Sequence, residues 1–106
     1  MPKFLIKANY VGEGITGLQK EGGTGRVKAV QQLCESVGAT LEGAWYAFGE
    51  YDFYCVIDAP DTESVAAVSL ITNGTGRVTV ETVPLISPEQ MDSAAKLTPA
   101  YRAPGT

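Results

Sequence analysis

The chain contains no histidine, and that absence removes more chemistry than any motif present adds. Without an imidazole there is no Ser-His-Asp or Cys-His pair and no histidine-bearing metal centre. Cysteine is scarce too, with only Cys34 in the middle of a predicted helix and Cys55 in the middle of a predicted strand, both on apolar faces. A nucleophilic cysteine would lack its usual base, and a disulfide would need an oxidising compartment, so both read as buried free thiols. Basic side chains are few and scattered: 8 Lys and Arg face 12 Asp and Glu, for a net charge of −4. A surface that tracks phosphates needs a basic stripe, so nucleic acid is not an expected partner. No apolar run approaches about 18 residues, and the N-terminus lacks a basic-then-apolar signal. The expectation is a cytoplasmic protein without a membrane span, a metal or another cofactor.

What is present is an ordinary globular composition. The 106 residues are 44% apolar and 19% charged, with a mean hydropathy of +0.01. A chain of this length builds one core and buries roughly 60–70% of its unfolded surface. A single domain over residues 1–96 is expected, followed by a tail, 97–106, that carries prolines and no periodicity.

Aromatic residues crowd into one short stretch: Trp45, Tyr46, Phe48, Tyr51, Phe53 and Tyr54. Gly49-Glu50-Tyr51-Asp52 divides it into two apolar runs, which predicts a β-hairpin with strands at about 39–48 and 52–58. Gly49 is expected to supply a positive φ at the turn. Upstream, Phe4, Ile6, Ala8 and Tyr10 alternate with Leu5, Lys7 and Asn9, the pattern of a half-buried strand. Residues 11–23 are glycine-rich and polar and read as a loop, with at most a helical turn before a break at Gly22-Gly23. Thr24 then offers a cap for a helix to Val37, closed by Gly38. Asp61 caps a second helix, 62–72, ended by Asn73-Gly74. Residues 77–86 alternate as a fourth strand, and Pro84 implies that it lies at a sheet edge or is ending there. Ser87-Pro88 opens a short last helix.

This order is β-α-β-β-α-β with a terminal helix, the ferredoxin-like arrangement of the α+β class. Right-handed crossovers give an antiparallel four-stranded sheet of order 4-1-3-2 with both main helices on one face. The other face must meet water or another sheet. The expectation is therefore a sheet-to-sheet homodimer or higher oligomer.

Tyr46-Ala47-Phe48-Gly49-Glu50-Tyr51-Asp52, the upstream Gly22-Gly23 and the small-residue second helix together resemble the GYD domain family. The resemblance runs from about Lys3 to Ala95. It implies a place among the dimeric α+β barrels, small bacterial oligomers, and carries no catalytic residues across.

Gly12-Glu13-Gly14-Ile15-Thr16-Gly17 matches the GxGxxG pattern of dinucleotide sites. Its context does not fit, because the first strand is half polar, the second leads into a hairpin, and the chain is too short. Gly22 to Arg26 has the composition of an anion cradle but reads more simply as a kinked helix entrance. The sheet order gathers Asn9, Asp52 and Arg77 at one end, with Lys7, Tyr54 and Glu81 along the same polar face and Tyr46 beside them. Two such faces in contact would enclose a polar cavity for a small molecule. There Asp52 would accept a proton, Tyr46 and Tyr54 would donate or stack, and Arg77 would clamp an anion. The competing reading is a non-catalytic assembly module in which these charges only pair across strands.

Overall fold

The alternation of residues 3–10 produces β1 (Lys3–Tyr10), which runs through the interior of the sheet. The computed structural model describes residues 2–106. The chain continues as α1 (Glu13–Glu35), β2 (Thr40–Tyr46), β3 (Phe53–Asp58), α2 (Thr62–Asn73), β4 (Val78–Leu85) and α3 (Pro88–Ala95). The strands form one antiparallel sheet of order β2-β3-β1-β4, the expected order read from its other edge. Pro84 lies in edge strand β4, where its missing N–H costs no ladder bond.

The inward halves of the strands build the core. Phe4, Ile6, Ala8 and Tyr10 from β1 meet Phe53, Cys55 and Ile57 from β3, under Cys34 of α1 and Val65 of α2. Fully burying an aliphatic or aromatic side chain of this kind contributes about 1.5–3 kcal/mol relative to leaving it exposed. Both cysteines are free and 1% exposed, as their apolar surroundings imply. Burial pushes the Cys55 thiol up to about 12 and raises that of Cys34.

The glycine-rich segment departs from the expected loop. Helix α1 begins at Glu13, so Thr24 lies within it instead of ahead of it. The expected break does occur: Gly22, at φ 81° and ψ 161°, is non-helical and divides α1 into two segments. The first segment persists because of tertiary contact, despite poor helix propensity. Gly14 is buried, and a Cβ built on it would stand 1.9 Å from the Arg77 carbonyl oxygen. The Val11 N–H donates to that same carbonyl at 2.9 Å. Only glycine lets the helix start come this close to the head of β4. The expectation for Gly49 also fails: it is absent from the positive-φ glycines, and a Cβ there would meet nothing within 4 Å.

The other boundaries follow from capping. Asp61 Oδ1 accepts from the Ser64 N–H at 2.8 Å and opens α2. Ser87 and Gln90 form a reciprocal capping box with Pro88 in the first turn, opening α3. Helix α3 nevertheless buries none of its residues, and Met91, Leu97 and Tyr101 stand exposed along it and the tail. The radius of gyration is 16.8 Å, against roughly 13 Å for a compact domain of this length. The C-terminal segment is an arm that leaves the body.

Two outcomes follow from the packing. Gly14→Ala should cost about 1–3 kcal/mol in urea denaturation, because the added methyl meets backbone. Gly49→Ala should stay within about 0.5 kcal/mol; equal effects at the two sites would contradict the packing described. In the folded protein neither thiol should react with a disulfide reagent at mildly alkaline pH, and both should react in denaturant. Fast modification of either without denaturant would show that the core around Cys34 and Cys55 is open.

Candidate functional site

The segment between β2 and β3 is tied to the end of β1 by a short polar strap. The Tyr10 N–H donates to Asp52 Oδ2 at 3.0 Å. The Asp52 N–H donates to Asn9 Oδ1 and to the Ala8 carbonyl, each at 3.0 Å. Asn9 Nδ2 reaches back to the Glu50 carbonyl at 3.1 Å, and the Ala47 N–H closes the loop onto the Asp52 carbonyl at 2.8 Å. Asp52 and Asn9 therefore satisfy main-chain groups where the ladder ends. Asp52 was expected as a proton acceptor, and its carboxylate here serves as the acceptor for a backbone amide. The backbone of Glu50 takes part through its carbonyl; its side chain is exposed.

The strap sends Tyr51 across the helix-free face of the sheet. Its hydroxyl donates to Glu81 Oε2, and Glu81 Oε1 lies 3.4 Å from Lys7 Nζ. The Lys7 ammonium also sits 4.6 Å from the Tyr51 ring centroid, a cation–π contact. Tyr54 meets Tyr51 edge to face at 6.1 Å. Cross-strand pairing explains the cluster, since Lys7 stands opposite Tyr54 on one side and Glu81 on the other. Three expected residues, Lys7, Tyr54 and Glu81, are thus brought together. Tyr51, expected only as part of the turn, completes the group. A second polar group joins Lys3 to Glu42 and, at 3.0 Å, to Asp58. Between the two groups lies an apolar row, Leu5, Val56 and Val83, in register across three strands.

Tyr46 and Arg77 are not on this face. A bulge shifts the β2–β3 register between Leu41 and Gly43. Because side chains alternate with period two, one extra residue reverses the facing of everything beyond it. Trp45 therefore points outward opposite Tyr54, its indole over Gly43, where a Cβ would come within 2.6 Å. Tyr46 turns to the helix side, packs its ring at a tilt against Phe53 with centroids 5.1 Å apart, and donates its hydroxyl to the Gly23 carbonyl at 3.0 Å. Burial pushes the Tyr46 phenol up to about 12, with Tyr10 beside it. Arg77 precedes β4, and its guanidinium pairs with Glu13 at the start of α1 at 3.2 Å.

The side chains whose ionisation the fold shifts all move away from neutrality. Tyr51 is pushed up to about 12 by its bond to Glu81, and Glu81 is lowered by Tyr51 first and Lys7 second. Lys3 is raised by Glu42 and Asp58, and Asp58 is lowered by Lys3. A general acid or base works best with a pKa near the operating pH, and these shifts run the other way.

Architecture and site together define an open-faced ferredoxin-like α+β domain, with a tyrosine-rich polar cluster on its uncovered sheet. The family model for the GYD domain matches residues 4–95. The chain belongs to the GYD domain family. No match is found among curated proteins or solved structures.

Glu81 and Asp58 hold protons more weakly folded than unfolded, so their contribution is complete above the ordinary carboxylate values of 4.5 and 3.8. It is lost as pH falls through the lower, folded values. The melting temperature should therefore fall on acidification from about pH 6 to about pH 3, and less steeply in Glu81→Gln. Identical acid profiles for the two proteins would deny Glu81 this role.

Proposed function

We propose that this protein acts as a non-catalytic, self-associating module, and that two copies meet through their helix-free sheet faces. The observation that carries the reading is Trp45, 61% exposed at the end of a face whose centre is the apolar row Leu5, Val56 and Val83. A face of this composition is costly to leave in water and is what an isologous dimer would cover. The arm supports the same reading. A helix as short as α3 is marginal alone in water, yet none of its residues is buried on its own body. In a pair, the arm of one copy would have the neighbour's surface to pack on.

The polar cluster favours assembly over chemistry on this face. Lys7, Tyr51 and Glu81 satisfy one another within a single chain, and Asn9 and Asp52 are occupied with backbone. Charges that are paired beforehand cost less to cover than an unpaired one, which would oppose burial strongly. A cavity for a small polar molecule between the two faces is the second reading, favoured by the Lys7 ammonium held over the Tyr51 ring.

Sedimentation at micromolar concentration should give a species about twice the 11.2 kDa chain mass. The interface should bury about 1,200–2,000 Å². Trp45→Asp should weaken association at least about tenfold while leaving the circular dichroism spectrum intact, as expected of a tryptophan covered in an interface. A wild-type protein that sediments only as an 11.2 kDa species would end this proposal.

A further inference from the structure

The opposite side of the sheet carries a feature unrelated to assembly. Helices α1 and α2 splay apart and leave a cleft in two parts. The outer part is a pocket of about 270 Å³ bounded by the first segment of α1, the end of α2 and the head of β4. The inner part, about 80 Å³, is a chamber lined by apolar residues such as Val30, Leu33, Phe53, Cys55 and Val68. Tyr10, Arg26, Thr72 and Val78 border both, so the two spaces share a throat.

Arg26 is the charged group at that throat. Its side chain is 32% exposed and makes one contact with Glu21, at 3.2 Å. Tyr10 lies beside both Arg26 and Tyr46. The Arg26–Glu21 pair lies close in sequence and is half exposed on the Glu21 side, the weakly held kind of ion pair. A carboxylate arriving from solvent offers a guanidinium two parallel hydrogen bonds instead of one. It would also find the Tyr10 hydroxyl beside it, a hydrogen-bond donor on the wall of both spaces. Behind the throat the walls are hydrocarbon, sulfur and one aromatic ring, which suit an apolar body and repel a second charge.

We propose that this cleft is a binding site for a small apolar monocarboxylate, with its carboxylate on Arg26 and its hydrocarbon body in the chamber above Phe53 and Cys55. The site is complete within one chain and does not depend on the dimer. Its polar gate is built by the Gly22 break and the β2 bulge. The break ends the first segment of α1 at the throat, and the bulge turns Tyr46 to the helix side to hold the Gly23 carbonyl.

Titration of the full chain with benzoate and with hexanoate, followed by calorimetry and by amide and methyl NMR shifts, tests the site. At least one should bind saturably with Kd at or below about 1 mM, and shifts should centre on Val30, Leu33 and Val68. Acetate, which lacks the body, and benzyl alcohol, which lacks the charge, should each bind at least about tenfold more weakly. Arg26→Gln should weaken binding at least about tenfold, Arg26→Lys less, and Arg77→Gln, at the outer rim, less than about threefold. Should Arg26→Gln fail to fold, Ala29→Leu supplies the test, because it fills the chamber from α1 and should abolish binding with the throat intact. The proposal is overturned if neither acid binds, if affinity survives both Arg26→Gln and Ala29→Leu, or if the shifts map to the Lys7–Glu81 face. Sedimentation of the same samples separates this outcome from any failure of the dimer.

Discussion

The strap between Asp52, Asn9 and the end of β1 is the constraint on which the rest of the molecule turns. A hairpin loop beyond the last ladder pair would ordinarily be free to sway. Here the Asp52 carboxylate and the Asn9 amide take over the hydrogen bonding where β-pairing stops. Hydrogen bonds to a charged acceptor contribute about 1.5–3 kcal/mol, and those between neutral groups about 0.5–1.5 kcal/mol. The strap fixes the end of β1 against the start of β3, and thereby the position of Tyr10 beneath α1. It also fixes the exit direction of Tyr51, which reaches across to Glu81. One local network therefore orients a phenol toward each face of the sheet.

Much of the architecture was legible because its signals are local. Alternation in residues 3–10 and 77–86 marked the outer limits of β1 and β4, and the caps at Asp61 and Ser87 needed only short-range chemistry. The first segment of α1 was not legible. Its glycines argue against a helix one residue at a time, and the contact that favours it, Gly14 against Arg77, joins positions far apart in the chain. The site was half legible for a related reason. Lys7, Tyr54 and Glu81 follow from parity along uninterrupted strands and were placed together correctly. Tyr46 lies beyond a bulge that no residue type announces, so a parity count assigned it to the wrong face. Arg77 continues the parity of β4 but lies outside the strand, where the acidic start of α1 draws it aside.

The two sides of the sheet handle charge in opposite ways. On the uncovered side each cation has a carboxylate partner in the same chain, and the phenol between them is held neutral. Among these paired side chains three carboxylates, Glu42, Asp58 and Glu81, stand against two lysines, so the balance there is acidic. On the helix side, Arg26 stands at an oily opening with one exchangeable partner. The chain has no histidine, and the groups whose ionisation the fold shifts move away from the pH range in which a general acid or base works best.

The bulge between Leu41 and Gly43 acts as a parity switch written in a single residue. Upstream of it β2 is in phase with one face of the sheet, and downstream with the other. Pairing β2 as a regular ladder with every residue kept would exchange Trp45 for Tyr46 between the two surfaces, whereas deleting the extra residue would leave both where they are. The exchange would bring indole to the cleft and phenol to the uncovered sheet, without altering the chemistry of either side chain. The identities of both surfaces are thus linked through a reading-frame-like phase of the backbone, and neither can be re-registered without rewriting the other.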